Sequence, residues 1–339
     1  MLPTMVGRVI AAIVVVAVAA ALLVIAWPQL FGLQQQPVIA QIVSLRGVAV
    51  CVAALVLVLL LIATATSRAA RRFAGGLAVV VLAFGGLQLA VLATRGTASV
   101  DLPAKASGDL TILSWNTLGD APGAQEIAQL AQREQADVIV LAETSQSTAK
   151  AVAQQLEAAG MPMQLIPLSY DQVSKARTTD LLISTRLGAY KDASGGHTTD
   201  TIPTVYALPV DGSGPTFIAT HIVSPVPGEM AGWRQGLRWD ADHCVGDAIA
   251  AGDFNSTLDH WDGLGAAGGQ LGACRDAAKA VGAAAVGSWP TRLPTLLGAP
   301  IDHVLATSQW KVTGFRVIES EDGAGSDHRP VVAQLSPAS

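Results

Sequence analysis

The chain has 339 residues, 51% of them hydrophobic, with 26 acidic against 21 basic residues and a net charge of −5. A mean hydropathy of +0.44 is too high for an ordinary soluble protein, and the excess sits in the first hundred positions. No Asp or Glu precedes Asp101, whereas six arginines do, so the remainder holds 15 basic and 26 acidic residues, a net −11; that lacks the broad basic face of a dedicated nucleic-acid binder, although a local patch with a divalent cation would suffice for one.

Three apolar runs, 9–27, 48–66 and 74–93, each have the roughly 20 residues that carry a helix across a bilayer core. The first exceeds the ~7–15 residues of a signal-peptide core, and no small-residue cleavage site with a polar boundary follows it. Three membrane helices are therefore expected within residues 1–96. Basic residues in short loops stay on the cytoplasmic side. Arg8 precedes the first run and Arg68, Arg71 and Arg72 separate the second from the third, while the loop 28–44 is uncharged and Arg46 sits where it would snorkel. The sequence thus predicts a multi-pass cell-membrane protein with its N-terminus inside and its C-terminal domain extracytoplasmic. Arg95 and Lys105, after the third run, weigh the other way.

Residues 97–109, small, polar and containing Pro103, read as a linker, and 110–339 as one α/β domain. Strand-like runs begin near Leu110, Val138, Leu181, Thr204, Thr216, Ile249, Ile301, Val312 and Val331, and helix-like stretches cover 123–135, 146–159, 229–245 and 271–281. Cys51 lies in the second apolar run as a small packing residue. Cys244 and Cys274 lie in the C-terminal domain, where an oxidising compartment allows a disulfide; two buried free thiols are the equal alternative.

Five polar clusters follow strand-like runs in this domain: SWN ending at Asn116, AET around Glu143, ATH ending at His221, GDFN at 252–255 and SDH at 326–328. Strand ends carry their polar groups to one edge of a sheet. Hydrolysing a phosphoester requires neutralising phosphoryl oxygens, activating a water and stabilising the leaving oxygen, which these acids, amides and histidines can do around a hard cation.

In that order, with Asp302 of IDHVL between GDFN and SDH, the clusters resemble the endonuclease/exonuclease/phosphatase superfamily. That group includes deoxyribonuclease I-like and exonuclease III-like nucleases, neutral sphingomyelinases and inositol polyphosphate 5-phosphatases. The resemblance covers 110–335 and implies a four-layered α/β sandwich of two packed β-sheets flanked by helices, here preceded by three transmembrane helices. It implies a Mg²⁺ cofactor, with Mn²⁺ as a substitute, held by Glu143 and Asp327 and contacted by Asn116. His328 and Asp302 resemble the acid/base pair, because a carboxylate on the far ring nitrogen fixes the tautomer and raises basicity. His221 resembles the second histidine, which donates to a phosphate or leaving oxygen. Asp253 would orient or activate water and Asn255 would hydrogen-bond the phosphate, the two sharing a face by strand alternation, with Phe254 turned into packing. His303, next to Asp302, is expected on the opposite face as a bystander. Some DNA-repair members have an acid two residues beyond the first asparagine; here it is Leu118, and Asp120 reads as part of a turn.

Trp289 and Arg292 of SWPTRL are candidates for a substrate rim, with packing of Trp289 beneath the loop as the alternative. The leading expectation is a membrane-anchored phosphodiesterase, an extracytoplasmic nuclease among its forms. The alternatives are a lipid head-group phosphodiesterase or phosphatase, and a non-catalytic tethered binding module. The partners expected are a phosphoester substrate, nucleic acid or phospholipid, and the membrane itself; the sequence predicts no protein partner.

Overall fold

The computed structural model describes residues 2–68, 70–169, 174–195 and 202–338. They form two units, Met1–Thr94 and Arg95–Ser339.

The first unit is helical: α1 (Leu2–Ala26), α2 (Ile39–Ser44), α3 (Arg46–Thr66) and α4 (Arg71–Arg95). Met5–Ala26, Arg46–Thr66 and Arg71–Arg95 are long and apolar enough to cross a membrane. Their flanks leave Ile13, Leu55, Leu59 and Leu82 more than half exposed, an apolar surface of the kind a bilayer can cover. Arg46, expected to snorkel, is instead buried. Its Nη1 donates to the Ala26 carbonyl at 3.1 Å and to Gln88 Oε1. One guanidinium thus joins the end of α1 to α3 and α4, and it satisfies the carbonyl that terminates α1.

The second unit contains two six-stranded sheets. In chain order the strands are β1 (Leu110–Asn116), β2 (Val138–Ala142), β3 (Met163–Ser169), β4 (Thr178–Ser184), β5 (Tyr190–Asp192), β6 (Val205–Pro209), β7 (Thr216–His221), β8 (Ala248–Asp253), β9 (Arg275–Asp276), β10 (Asp302–Ala306), β11 (Trp310–Val317) and β12 (Val331–Pro337). The first sheet runs β11-β12-β1-β2-β4-β3 and the second β5-β6-β7-β8-β10-β9. β1/β2 and β7/β8 pair in parallel and the remaining neighbours antiparallel.

Period-two alternation assigns the faces. Ile112, Val140, Leu181, Phe217, Ile249, Val304 and Ala333 fill the space between the sheets. Leu113, Trp115, Ile139 and Leu141 face outward into a second core with Ile127 and Leu130 of α5 (Gly123–Arg133) and Val152 and Leu156 of α6 (Gln146–Ala158). Behind the second sheet, Trp233 and Leu237 of α7 (Met230–His243) are fully buried. The layers are helix, sheet, sheet, helix, the four-layered sandwich expected.

Three departures from the sequence expectations have local causes. Residues 97–109 lie on the domain rather than standing clear as a linker: Val100 bridges Phe315, Leu102 packs against the outer core, and Asp109 accepts from Gln334 and Ser336. Residues 271–281 hold β9 and only one helical turn, α8 (Ala277–Ala280). Gly272 adopts φ +54° with the Ala241 carbonyl where a Cβ would sit, and Cys274 is bonded to Cys244 across 5.7 Å between Cα atoms. The edge strand β3 carries no clear strand signal because it contains Pro167, which an edge accommodates.

Candidate active site

The alternation that packs the core also aims the polar groups. Asn116 follows Ile112 on the inner face of β1, His221 follows Phe217 and Ala219 on β7, Asp253 follows Ile249 and Ala251 on β8, and Asp302 precedes Val304 on β10. All four are terminal residues of their strands. In the ladders His221 stands beside Asp253, and Asp253 beside Asp302. Two sheets therefore deliver one cluster to one edge of the sandwich.

Gly252 makes the β7–β8 approach possible: at φ +147° an added Cβ would lie 1.8 Å from the Thr220 carbonyl. Glu143 follows β2 at φ +53°, a costly conformation for a side chain of its size. Its backbone is held there by the Thr178 carbonyl at 3.0 Å, the Gly119 N–H at 2.9 Å and the Thr117 hydroxyl at 3.0 Å. That turn swings the carboxylate toward Asn116, whose Nδ2 donates to Glu143 Oε1 at 3.0 Å and to Asp253 Oδ2 at 3.1 Å. Asn116 Oδ1 accepts from the Leu118 N–H. In this arrangement Asn116 ties two carboxylates together with its donors, and its own acceptor is already engaged.

His328 lies between two acids, Nδ1 at 2.9 Å from Asp302 Oδ2 and Nε2 at 3.8 Å from Asp253 Oδ2. The Ser326 hydroxyl fixes its backbone, accepting from the His328 N–H and donating to the Asn116 carbonyl at 2.6 Å. His221 is buried with Nε2 at 3.8 Å from Glu143 Oε1, and its Nδ1 has no hydrogen bond of ordinary geometry. Asp327 Oδ2 accepts from the Trp289 indole at 2.9 Å, while its Oδ1 is buried without a hydrogen-bond partner among the described residues.

Asn255 does share the site with Asp253, but for a different reason from strand alternation. It lies past the strand end at φ +46°, with its N–H on Asp253 Oδ1 at 2.8 Å. Its Nδ2 donates to the Ile222 carbonyl and to Asp253 Oδ2, so here it orients Asp253. Phe254 packs against Trp261 and His303. His303 points away from the site to Asp276 at 2.8 Å and the Ser256 carbonyl, as expected of a bystander. Asp120 is engaged by the Ser145 N–H and Lys175, both at 2.7 Å, and so closes a turn. Arg292 is exposed.

Burial and crowded charge reset the proton affinities. Burial lifts the Asp253 carboxyl to about 6 against the pull of His328. Burial pushes His328 down, yet Asp302 and Asp253 outweigh it and raise the ring to about 10. Glu143 is raised by burial, reinforced by the charges of Asp327 and Asp302. His221 is lowered, chiefly by burial. The resting site thus combines a charged imidazolium at His328 with a neutral imidazole at His221.

Residues 113–328 match the Endonuclease/Exonuclease/phosphatase family. The chain belongs to that family. Among solved structures it is similar to D. rerio TDP2 complexed with single strand DNA product, at 16% identity and a TM-score of 0.51 over 68% of this chain and 100% of that one. It is also similar to the endonuclease/exonuclease/phosphatase from Beutenbergia cavernae DSM 12333, at 19% identity and a TM-score of 0.48 over 68% and 72%. The human Nocturnin catalytic domain gives 16% and 0.48 over 70% and 97%. At 16% identity the likeness to D. rerio TDP2 is one of fold. No curated protein matches the chain in sequence.

Members of the Endonuclease/Exonuclease/phosphatase family are hydrolases of phosphoester bonds that use a divalent metal. The donors present fit such an ion: oxygen ligands of two carboxylates, one with an unpartnered buried oxygen, in a site whose acids resist ionising together. Asp253, Asp302 and His328 also bring ligand atoms within 4.8 Å of one another. There His328 Nδ1 is already bonded to Asp302, and a protonated ring offers no lone pair, which makes that trio a proton-holding unit. Besides the predicted ligands and acid–base residues, the site depends on the Ser326 hydroxyl, which bonds both the SDH loop and Asn116, and on the indole N–H of Trp289. A serine two residues before a histidine is a turn signal; a tryptophan N–H 38 residues distant leaves no local sequence trace.

Proposed function

We propose that this protein is a membrane-tethered, Mg²⁺-dependent phosphodiesterase whose catalytic domain faces away from the cytoplasm. The observation that carries the chemistry is the bonded chain Glu143–Asn116–Asp253, with His328 between Asp253 and Asp302.

Glu143 and Asp327 would hold the ion, Mg²⁺ or Mn²⁺. When bound it would neutralise phosphoryl oxygens and stabilise the leaving oxygen. Asp253, oriented by Asn116 and Asn255 and lifted by burial toward neutral pH, takes the proton of the attacking water. His328, kept protonated by its two acids, stabilises charge that grows on the phosphoryl oxygens. Asp302 holds that ring in place. His221, neutral through burial, has one N–H to donate to a phosphoryl or leaving oxygen.

Orientation rests on the arginines and the cysteines. Arg8 and the trio Arg68, Arg71 and Arg72 mark the cytoplasmic ends of the helices. The two opposing charges are engaged locally: Arg95 with Asp259 at 2.7 Å, and Lys105 with Asp137. A buried Cys244–Cys274 disulfide suits an oxidising compartment.

Nucleic acid is the first substrate to test. A phospholipid head group is the second, favoured by the membrane helices, since the net −11 from Asp101 onward lacks the broad basic face of a dedicated nucleic-acid binder. Full-length protein assayed on DNA, RNA, sphingomyelin and phosphoinositides with Mg²⁺ or EDTA separates them. Chelator-sensitive cleavage of the nucleic acids alone supports the nuclease form; cleavage of lipid alone replaces it with the lipid form.

A further inference from the structure

The segment Ser288–Leu293 is bonded repeatedly to the SDH loop. Trp289 Nε1 donates to Asp327 Oδ2 at 2.9 Å, the Thr291 N–H to the Asp327 carbonyl at 2.9 Å, and the Thr291 hydroxyl to the Ser326 carbonyl at 3.2 Å. Arg329, fully buried, braces the segment from beneath: Nη2 donates to the Thr291 and Leu293 carbonyls, both at 2.9 Å, and to Asp322 at 2.7 Å. At its other end the Ser288 hydroxyl accepts from the Asp302 N–H at 3.1 Å. One short segment is therefore bonded to Asp302, Ser326 and Asp327 together.

Only one bond in this set acts on a reactive group's side chain. The indole N–H occupies Oδ2 of Asp327 and leaves Oδ1 buried and, among the described residues, without a hydrogen-bond partner. A buried carboxylate oxygen left in that condition is costly unless a cation meets it. A carboxylate with one oxygen fixed by a rigid donor presents the other at a defined angle, which lowers the entropy lost when an ion binds. The indole is half-buried, and its ring lies 6.5 Å from that of His328 without stacking on it.

We infer that Trp289 is a positioning residue for Asp327, holding one carboxylate oxygen so that the other is aimed at a divalent cation. The inference rests on Asp327 being a ligand of that ion. It makes the indole N–H, rather than the aromatic face, the part of Trp289 that matters.

The test measures binding of Mn²⁺ alone to the full-length protein in detergent, from the electron paramagnetic resonance signal of the free ion. Trp289→Phe keeps an aromatic ring and removes the donor; Mn²⁺ affinity should fall on the order of 10–100-fold. Trp289→His restores the donor, because imidazole Nε2 is the same number of bonds from Cβ as indole Nε1, and should recover most of that loss. Equal affinities in Trp289→Phe and Trp289→His, or an unchanged affinity in Trp289→Phe, overturn the inference while leaving the metal site standing. Glu143→Gln is the separate control on the metal reading. Mn²⁺ binding that survives Glu143→Gln undiminished removes that reading and the inference with it.

Discussion

Asp240 on α7 is fully buried, and neither carboxyl oxygen has a hydrogen bond of ordinary geometry, although the Thr220 hydroxyl lies close by. Burial raises its pKa from 3.8 to about 8, with Thr220 easing the shift slightly. The unfolded chain releases this proton near pH 4, whereas the folded chain keeps it up to about 8. Between those values the folded state binds more protons, so the group lowers stability as pH rises, and below about pH 4 it costs nothing. Each pH unit in the window is worth about 1.4 kcal/mol, so the penalty at pH 7 is about 4 kcal/mol. Asp240→Asn removes the titration at nearly constant shape. Denaturant unfolding of wild type and variant, followed by fluorescence with Trp233 of the same buried face among the reporters, should give nearly equal stabilities at about pH 4. A gap of up to about 4 kcal/mol in favour of the Asp240→Asn variant should open by about pH 7, smaller if the new amide N–H finds no acceptor. Because Asp253 also titrates in this range, the comparison rests on the difference between the two proteins. A difference that stays flat from about pH 4 to about 8 would refute the assignment of a buried, neutral Asp240.

Three other outcomes follow from the same structure. Asp302→Asn removes the largest of the charges that outweigh burial at His328, so the ring titration, near about 10 in the wild type, should fall by about 1–3 pH units in NMR; an unmoved titration contradicts the pairing. Alkaline phosphatase fused after Gly96 should be active, and a reporter that works there only in the cytoplasm reverses the topology. Cys244→Ser should lower unfolding stability by about 2–4 kcal/mol, and an unchanged midpoint would show that the bridge does not form.

The sandwich and much of its edge could be read from the chain because strand alternation carries both the core and the site. Asn116, His221, Asp253 and Asp302 continue the buried pattern of Ile112, Phe217, Ile249 and Val304 to the strand ends, so a polar residue in that register had to face the space between the sheets. Glu143 breaks the pattern. It reaches the cluster through a left-handed turn held by bonds from Gly119, Thr117 and Thr178, which no periodicity encodes. Asn255 joins Asp253 through a local turn, so the right neighbour was expected for the wrong geometric reason. Trp289 reads from sequence as a rim residue or as packing beneath its loop, because its N–H partner lies far along the chain. Arg46 looked peripheral because its acceptors, Ala26 and Gln88, are on other helices. The burial of Asp240 has no sequence signal, because an acid on an amphipathic helix ordinarily faces water.

The proposed metal-dependent hydrolysis is tested most directly by cleavage of a phosphodiester by the full-length protein, with saturating Mg²⁺ or with EDTA, in wild type, Glu143→Gln and Asp253→Asn. Wild type should cleave with Mg²⁺ and not with EDTA. Each variant should lose at least about 100-fold, with Mn²⁺ binding reduced in Glu143→Gln and retained in Asp253→Asn. Cleavage that persists in EDTA, or that survives Asp253→Asn at the wild-type rate, would contradict it.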